Sequence, residues 1–223
     1  LCTARALIID ELHALIGSKR GAHLMLSIAR LDRLCPAPVQ RIGLSATIEP
    51  LEQAAAYLSP EPVTIAARDM AKAVRIEVTS PLPETRFLTE GSVWPSLARA
   101  VYEHCRDARS VIAFVEGRLF AEKLAHYVNQ IAGDGFARTH HGSLSRERRF
   151  EVEEALRNGT LRLLCATSSM ELGIDVGEID CVLQVGCPMS ISSTMQRLGR
   201  AGHNPGRVSV MHMFPKTDTE GLY

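Results

Sequence analysis

The sequence predicts an α/β protein built on parallel β-sheets. Apolar runs of about four to eight residues alternate with longer stretches in which apolar residues recur at the helical period. The apolar runs are nearly continuous, which is typical of parallel strands that are buried on both faces and joined by crossover helices. Polar residues follow several of these runs directly, at the sheet edge where doubly wound domains bind ligands.

The first domain, predicted over 1–67, contains half of a doubly wound sheet. Its predicted elements, in chain order, are a strand at 6–9, a helix at 22–34, a strand at 39–44 and a helix at 51–58. Pro36 and Pro38 end the first helix because proline cannot continue it. A second proline-containing turn at 59–62 follows the last helix.

The stretch at 68–89 is predicted to be an interdomain linker. It mixes charged residues with two prolines and contains one alternating apolar and charged run at 74–78. Such a composition is typical of a domain boundary, and the alternation predicts an edge strand within it.

The second domain, predicted over 90–215, is fuller. Its strands are predicted at 111–115, 137–141, 161–166, 181–185 and 208–214. Its helices are predicted at 94–105, 119–131, 146–156 and 192–198. Gly133 and Gly159 are candidate C-terminal stops for two of these helices. Residues 216–223 are expected to begin a further region.

Composition excludes some classes of protein. Lys plus Arg (25) balance Asp plus Glu (25), so any nucleic-acid binding must come from local patches. The six cysteines form no C-x-x-C pair and are expected to be reduced thiols, with metal or disulfide roles as the alternative. No apolar run approaches the roughly 18 residues that span a bilayer. We therefore expect a cytoplasmic protein without a membrane partner.

Two carboxylates and an imidazole follow the first strand, in Asp10-Glu11-Leu12-His13. A phosphate-transfer site needs one carboxylate to hold Mg²⁺ and another to orient and deprotonate the attacking water. Adjacent Asp and Glu can supply both. The alternative is that the two acids merely complement a helix N-terminus.

A hydroxyl pair, Ser45 and Thr47, follows the next strand. On its own this pair is equally consistent with capping of the helix that follows Pro50. A hydrolase nucleophile elbow is excluded, because position 47 is not glycine and no triad partner is evident.

A third constellation, at 166–175, combines hydroxyls with a glycine and a carboxylate after a strand. Thr167 and Ser168 suit a nucleic-acid phosphate, Gly173 permits close approach, and Asp175 can accept from a ribose hydroxyl. A serine-rich turn is the alternative.

A fourth constellation, at 196–203, places Arg197 and Arg200 three residues apart at the end of a helix. Guanidinium groups stabilise charge on a transferring phosphoryl group. The alternative is that both arginines complement the helix dipole.

Six motifs in this order resemble those of superfamily 2 helicases. They are Asp-Glu-x-His at 10–13, Ser-Ala-Thr at 45–47, the strand at 110–118, His-Gly-Ser-Leu-Ser at 141–145, Gly-Ile-Asp at 173–175 and Gln-Arg-x-Gly-Arg-Ala-Gly at 196–202. The runs at 19–23, 166–175 and 199–203 resemble the large-helicase-related (Lhr) type. The resemblance covers essentially the whole chain. It implies the end of one RecA-like domain followed by a nearly complete second one.

The resemblance also implies roles for individual residues. In the first domain, Asp10 would hold Mg²⁺, Glu11 would activate water, His13 would sense the nucleotide, and Ser45 and Thr47 would couple hydrolysis to strand movement. In the second domain, the residues that would meet the nucleotide are Gly173, Asp175, Gln196, Arg197 and Arg200. The residues that would line the path of the bound strand are Arg118, Gly142, Arg149, Thr167 and Ser168. Many relatives carry a third arginine where this chain has His203, so the contribution of His203 is open.

The function implied is an ATP-dependent helicase or translocase, a monomeric motor that moves 3'-to-5' along DNA. An RNA-remodelling enzyme and an ATPase-dead nucleic-acid-binding module are the alternatives. None of the four lysines fits a phosphate-binding loop of the form G-x-x-x-x-G-K-[ST]. We therefore expect a fragment of a longer motor that, by itself, binds ATP weakly and hydrolyses it negligibly.

Overall fold

The computed structural model describes residues 3–45, 48–67, 73–80, 93–171, 176–188, 190–201 and 208–216. The chain divides into two compact units, Leu1–Met70 and Ala71–Tyr223. Each unit combines helices with a sheet in which every pair of strands is parallel. The predicted α/β class with parallel sheets is confirmed.

Among its described residues, the first unit contains two strands and two α-helices. They are β1 (Ala6–Ile9), α1 (Lys19–Leu34), β2 (Gln40–Gly43) and α2 (Leu51–Leu58). β1 lies beside β2, with Ala6 opposite Gln40 and Ile9 opposite Gly43. The core of this unit is formed by Ile9, Leu12, Ile28, Ala54 and Leu58.

Helix α1 begins at Lys19, three residues before its predicted start. Ser18 caps the helix, because its Oγ accepts a hydrogen bond of 3.0 Å from the backbone N–H of Gly21. Apolar periodicity did not predict this first turn, because it begins with the polar residues Lys19 and Arg20. The helix ends at Leu34, as the two following prolines predict.

The second unit contains six strands and four α-helices within the described residues. They are β3 (Val74–Val78), α3 (Trp94–Cys105), β4 (Val111–Phe114), α4 (Arg118–Ala132), β5 (Ala137–His140), α5 (Arg146–Arg157), β6 (Leu163–Ala166), β7 (Cys181–Val185), α6 (Ile191–Leu198) and β8 (Ser209–Phe214). The strand order in the sheet is β3-β8-β7-β4-β6-β5.

Helices cover both faces of this sheet. On one face, Leu97 of α3 and Leu124 of α4 pack in the same cluster as Ala113 of β4. On the other face, Leu156 of α5 packs in a cluster with Ile112. Full burial of each leucine-sized side chain contributes about 1.5–3 kcal/mol. The continuous apolar runs are therefore explained by strands that are buried on both sides.

The alternating run at 74–78 forms β3, an edge strand of the second sheet, as predicted. All five of its residues are exposed, and it pairs in parallel with β8. Charged residues on an edge strand discourage pairing with other chains. The rest of the predicted linker falls largely on residues 68–72 and 81–89, which lie outside the described residues.

The other predicted boundaries differ from the structure by three residues or fewer. Gly133 caps α4 with a φ of 97°, and Gly159 follows α5 with a φ of 71°, which are conformations that favour glycine. β6 begins at Leu163 instead of 161, because the N–H of Leu161 donates to the carbonyl of Ala155 and belongs to the turn after α5.

The cysteines of the described residues are free thiols. They are Cys35, Cys105, Cys165, Cys181 and Cys187. Burial raises the pKa of the Cys181 thiol to about 12, and it also raises the pKa values of Cys105 and Cys165. Within the described ranges, no helix is both long and apolar enough to cross a membrane.

Candidate functional site

The residue that follows Asp10 is held in an unusual backbone conformation. Glu11 has φ 52° and ψ 45°, in the left-handed region, which costs a residue with a side chain about 1–2 kcal/mol. The turn sends Leu12 into the core of the first unit, and the N–H of Leu12 donates to the carbonyl of Leu44 at 2.9 Å. Core packing thus fixes a strained turn that leaves Asp10 exposed and Glu11 partly exposed.

The structure brings four of the five predicted first-domain residues together. The backbone N–H of Glu11 donates to Asp10 Oδ1 at 2.9 Å, and Glu11 Oε2 lies 3.5 Å from His13 Nδ1. His13 Nδ1 also lies 2.9 Å from Ser45 Oγ, at the end of β2. The carboxyl ends of two adjacent parallel strands therefore join the acids, the imidazole and the hydroxyl. Thr47 lies outside the described residues.

Asp10 fits the way proteins hold Mg²⁺. This ion takes one or two carboxylates and completes its octahedron with water and substrate phosphates. In the part of the chain that the structure describes, no three His, Cys, Asp or Glu residues gather as a metal cage. A single exposed carboxylate is suited to an ion that arrives with a nucleotide.

In the second unit, a cavity of about 570 Å³ opens at the carboxyl edge of the sheet. Four of the five residues predicted to line the strand path contribute to its wall: Arg118, Gly142, Thr167 and Ser168. Arg118 is the first residue of α4, and Gly142 and Thr167 follow β5 and β6, so the strand order β4-β6-β5 explains their convergence. Arg149 lies on α5 and does not line this cavity.

Two glycines leave backbone accessible at the wall of this cavity. Gly117, at φ 106°, precedes Arg118 and allows the sharp turn from β4 into α4. At Gly142, an added Cβ would meet nothing within 4 Å, so the space beside this backbone is open. The cavity therefore offers a guanidinium, two hydroxyls and accessible main chain.

Arg197 also reaches this cavity, but its guanidinium is already bonded within the protein. The residue is 7% exposed. Its Nη1 donates to Gln184 Oε1 at 2.6 Å, its Nε donates to Glu171 Oε1 at 2.7 Å, and its Cζ lies 5.1 Å from the centre of the Phe114 ring. To meet a triphosphate, this side chain would have to exchange these partners for the phosphate oxygens.

Glu171 joins the two predicted arginines. Its Oε1 accepts from Arg197 and, at 2.9 Å, from Ser193 Oγ, while its backbone carbonyl accepts from Arg200 Nη2 at 2.6 Å. Sequence reasoning did not select Glu171 or Gln184. The sequence signals only that some partner is needed, because an arginine on the buried side of a helix requires an acidic or amide partner.

The roles predicted for the second-domain nucleotide residues stay predictions. Gln196 is half-buried on α6, and Gly173, Asp175 and His203 lie outside the described residues.

A buried hydrogen-bond chain beside the cavity was also missed. The imidazole of His140, at the end of β5, is fully buried, with Nδ1 2.8 Å from Ser169 Oγ and Nε2 2.8 Å from Glu153 Oε1. His141, next in the chain, has Nε2 3.3 Å from Glu122 Oε1. A His-His pair gives little sequence signal, because buried histidines are commonly structural.

A family model described as "Helicase conserved C-terminal domain" matches residues 96–204. The "Lhr helicase/ probable uracil glycosylase" of Mycolicibacterium smegmatis is 40% identical over 99% of this chain and 17% of its own length. The "ATP-dependent helicase Lhr-Core protein 2" of Thermococcus barophilus is 38% identical over 94% of this chain and 25% of its own length. The chain thus spans a quarter or less of these curated relatives.

A solved structure extends the similarity to three dimensions. It is the Mycobacterium smegmatis helicase Lhr bound to ssDNA and AMP-PNP, which matches with a TM-score of 0.91 and 43% identity over 98% of this chain and 29% of that one. The sequence and fold similarities agree with the six ordered motifs and with the RecA-like sheets. The chain belongs to the Lhr type of superfamily 2 helicases.

Proposed function

We propose that the protein is an ATP-dependent DNA helicase or translocase that couples ATP hydrolysis to strand movement. The observation that carries the proposal is the cavity of the second unit. Arg118, Thr167 and Ser168 place a cation and two hydroxyls beside the open backbone of Gly142. These are the groups that bind the sugar-phosphate backbone of a nucleic acid. We further propose that the protein is cytoplasmic, acts as a monomer and moves 3'-to-5'.

The first unit would supply some of the groups that ATP hydrolysis requires. We propose that Asp10 holds Mg²⁺, which when bound neutralises charge on the phosphates. Glu11 would accept the proton of the attacking water. The left-handed backbone of Glu11 fixes the direction in which its side chain leaves the main chain. His13 would sense the nucleotide and, through its contact with Ser45, would connect it to the segment with Thr47 that couples hydrolysis to movement.

The second unit would supply the stabilising cations and nucleotide contacts. Gly173, Asp175 and Gln196 are proposed to meet the nucleotide, as the family resemblance implies. Each arginine would have to exchange contacts within the protein to reach a phosphate, because Arg197 donates to Glu171 and Gln184, and Arg200 donates to the Glu171 carbonyl. Both are retained as proposed stabilisers of the transferring phosphoryl group.

DNA is the proposed track. Support comes from the similar Mycobacterium smegmatis protein, whose structure holds ssDNA and AMP-PNP. The cavity groups themselves suit the backbone of either nucleic acid, and only contacts to the 2'-hydroxyl distinguish RNA. The choice therefore requires a direct comparison of the two substrates.

The test uses the full-length protein that contains this chain. ATP hydrolysis is measured with single-stranded DNA and with single-stranded RNA of the same sequence, and unwinding is measured on matched duplexes with 3' or 5' tails. We expect hydrolysis to be stimulated by DNA and unwinding to require a 3' tail. Activity on RNA alone would support the RNA enzyme. Salt-sensitive strand binding without ATP turnover would instead support a binding module.

A further inference from the structure

We propose that Lys216 is a positioning residue of the strand cavity, where it holds the carboxylate of Glu116 in an ion pair and compensates its charge so that the cavity accepts a phosphate. The inference rests on the proposed function, because it takes this cavity as the site of the bound strand. Neither Lys216 nor Glu116 was among the residues predicted to act on strand or nucleotide.

One residue of the cavity wall carries a charge that opposes the proposed ligand. Glu116 lines the cavity together with Arg118, and its side chain is 36% exposed. A phosphate that approaches Arg118 would therefore also approach a carboxylate, and like charges at short range repel each other. A cavity that binds the sugar-phosphate backbone needs a cation that compensates Glu116.

Lys216 supplies this cation. Its Nζ donates to Glu116 Oε2 at 2.8 Å, which is a typical length for a charge-assisted hydrogen bond. The lysine side chain is only 18% exposed. Water and salt therefore screen this pair less than they screen a pair of fully exposed charges. The pair is a feature of the fold, because its two members lie 100 residues apart in the chain.

The strand order explains how Lys216 reaches Glu116. Lys216 follows β8 and Glu116 follows β4, and β7 lies between these two strands in the sheet. The lysine side chain crosses the end of β7 at Gly186, whose φ is 82°. A Cβ added to Gly186 would lie 2.6 Å from Lys216 Cε and 2.9 Å from Lys216 Nζ. Glycine at this position therefore leaves the space that the lysine side chain occupies.

An aromatic pair packs against the ammonium group of Lys216. Its Nζ lies 5.0 Å from the centre of the Phe120 ring, within the range of a cation–π interaction. The Phe120 ring stacks in turn on Trp94 of α3, with 5.5 Å between the ring centres and 28° between the ring planes. Phe120 lies in the first turn of α4, two residues after Arg118. These contacts fix the ammonium group beside Glu116, at the turn that leads into Arg118.

The test measures the affinity of the full-length protein, without nucleotide, for a labelled single-stranded DNA oligonucleotide. Fluorescence anisotropy at several salt concentrations gives Kd and the slope of log K against log salt. Lys216→Met keeps most of the apolar stem and removes the ammonium group. We expect Kd to rise about threefold to tenfold, the effect of one uncompensated charge a few ångströms from a phosphate in a hydrated site. An unchanged Kd would overturn the inference, while the proposed function would stand.

A double variant separates compensation from direct contact with the strand. Lys216→Met combined with Glu116→Gln should recover the wild-type Kd, because the carboxylate that needed compensation is gone. Both variants lack the lysine, so a loss of folding would affect them alike. If the double variant binds as weakly as Lys216→Met, the inference is overturned. A salt slope lower by about one unit would then show that Lys216 itself contacts a phosphate.

Glu116→Gln alone tests the other member of the pair. It should bind at least as tightly as the wild-type protein, because it removes a charge that repels phosphate. Weaker binding by this variant would overturn the inference, since the carboxylate would then contact the strand.

The matched control is Lys123→Met. The Nζ of Lys123 lies 5.8 Å from the centre of the Trp94 ring, so this variant removes a lysine from the same aromatic pair and leaves Glu116 and Lys216 unchanged. Its Kd should stay near the wild-type value. If Lys123→Met weakens binding as much as Lys216→Met, the effect is a general loss of positive charge and the inference is overturned.

Arg118→Gln, measured in the same assay, reports on the proposed function itself. We expect weaker binding and a smaller salt slope, as for any lost phosphate contact. If Arg118→Gln leaves both quantities unchanged, the cavity is not the strand site, and the proposed function loses the observation that carries it. If Arg118→Gln weakens binding and Lys216→Met does not, the inference about Lys216 alone is overturned.

Discussion

The charged site residues of the two units differ in their exposure and in their hydrogen bonding. In the first unit, Asp10 is exposed and its Oδ1 accepts from a single neighbouring N–H, and Glu11 is partly exposed. In the second unit, Arg197 is buried, and its guanidinium donates to Glu171 and Gln184 while it lies over the ring of Phe114. Both sites lie at the carboxyl ends of parallel strands. Their position in the fold is therefore alike, and their bonding differs.

The difference is between exposed charges, to which the proposed function assigns a ligand, and buried charges, which are paired within the protein. A buried arginine is stabilising only when its partners are in place, and removing one partner leaves an uncompensated charge. An exposed carboxylate loses little hydration in the free protein, and in the role proposed for Asp10 it would gain its strong contacts from metal and substrate. Substitutions in the first unit should therefore change activity more than stability, whereas substitutions at Arg197 should lower stability in addition to any loss of activity.

The largest effect is expected at Glu11. Glu11→Gln keeps the size of the side chain but removes the proposed general base, so kcat for ATP hydrolysis by the full-length protein should fall about 10²- to 10⁴-fold. Thermal unfolding should be nearly unchanged, because the side chain is partly exposed and its contact with the His13 imidazole is long, at 3.5 Å. The measurement is steady-state ATPase activity beside a melting curve. A fall in activity of less than about tenfold would contradict the proposed role of Glu11 as the general base.

The second effect is expected at Arg197. Arg197→Met keeps much of the volume but leaves the half-buried Glu171 carboxylate without its cation, and it should lower the free energy of unfolding by about 3 kcal/mol. Denaturant unfolding measures this quantity. The matched control is Arg197→Met with Glu171→Met, which removes both charges and should recover part of the loss. Equal instability of the single and double variants would contradict a paired, structural arginine.

Apolar pattern alone predicted most of the fold. β1, β3, β7, α2 and α3 begin and end where the sequence placed them, because their apolar residues and flanking prolines mark the ends. α1 began earlier than predicted because a capping hydroxyl at Ser18, not an apolar residue, fixes its first turn. Periodicity carries no information about a polar first turn.

The sequence predicted which strand-end residues form the site. It did not predict the hydrogen-bond partners of those residues. Parallel strands bring their carboxyl ends to one edge, so Arg118, Gly142 and Thr167 could be expected to converge. The partners of Arg197 could not, because Glu171 and Gln184 come from different segments whose approach depends on tertiary packing. The left-handed Glu11 is likewise set by the burial of Leu12 and not by its own preference.

A third prediction concerns the strained backbone of Glu11, where one substitution should raise stability and abolish activity. Glu11→Gly relieves the left-handed conformation, although glycine gains entropy in the unfolded chain, so the net gain in unfolding free energy should be about 0.5–1 kcal/mol. ATP hydrolysis should be lost to the same extent as in Glu11→Gln. Denaturant unfolding and ATPase assays check the two halves. A less stable Glu11→Gly protein would show that the turn is not strained.

The smallest effect is expected at Arg118, which shares a cavity with Arg197 but is exposed. Arg118→Gln should weaken single-stranded DNA binding by about 1 kcal/mol and reduce the slope of log K against log salt by slightly less than one unit, because one phosphate contact is lost. Stability should not change, in contrast to Arg197→Met. Salt titrations monitored by anisotropy give the slope. An unaltered slope would mean that Arg118 contacts no phosphate. Exposure would then not distinguish Arg118 from the buried Arg197 as a contact of the bound strand.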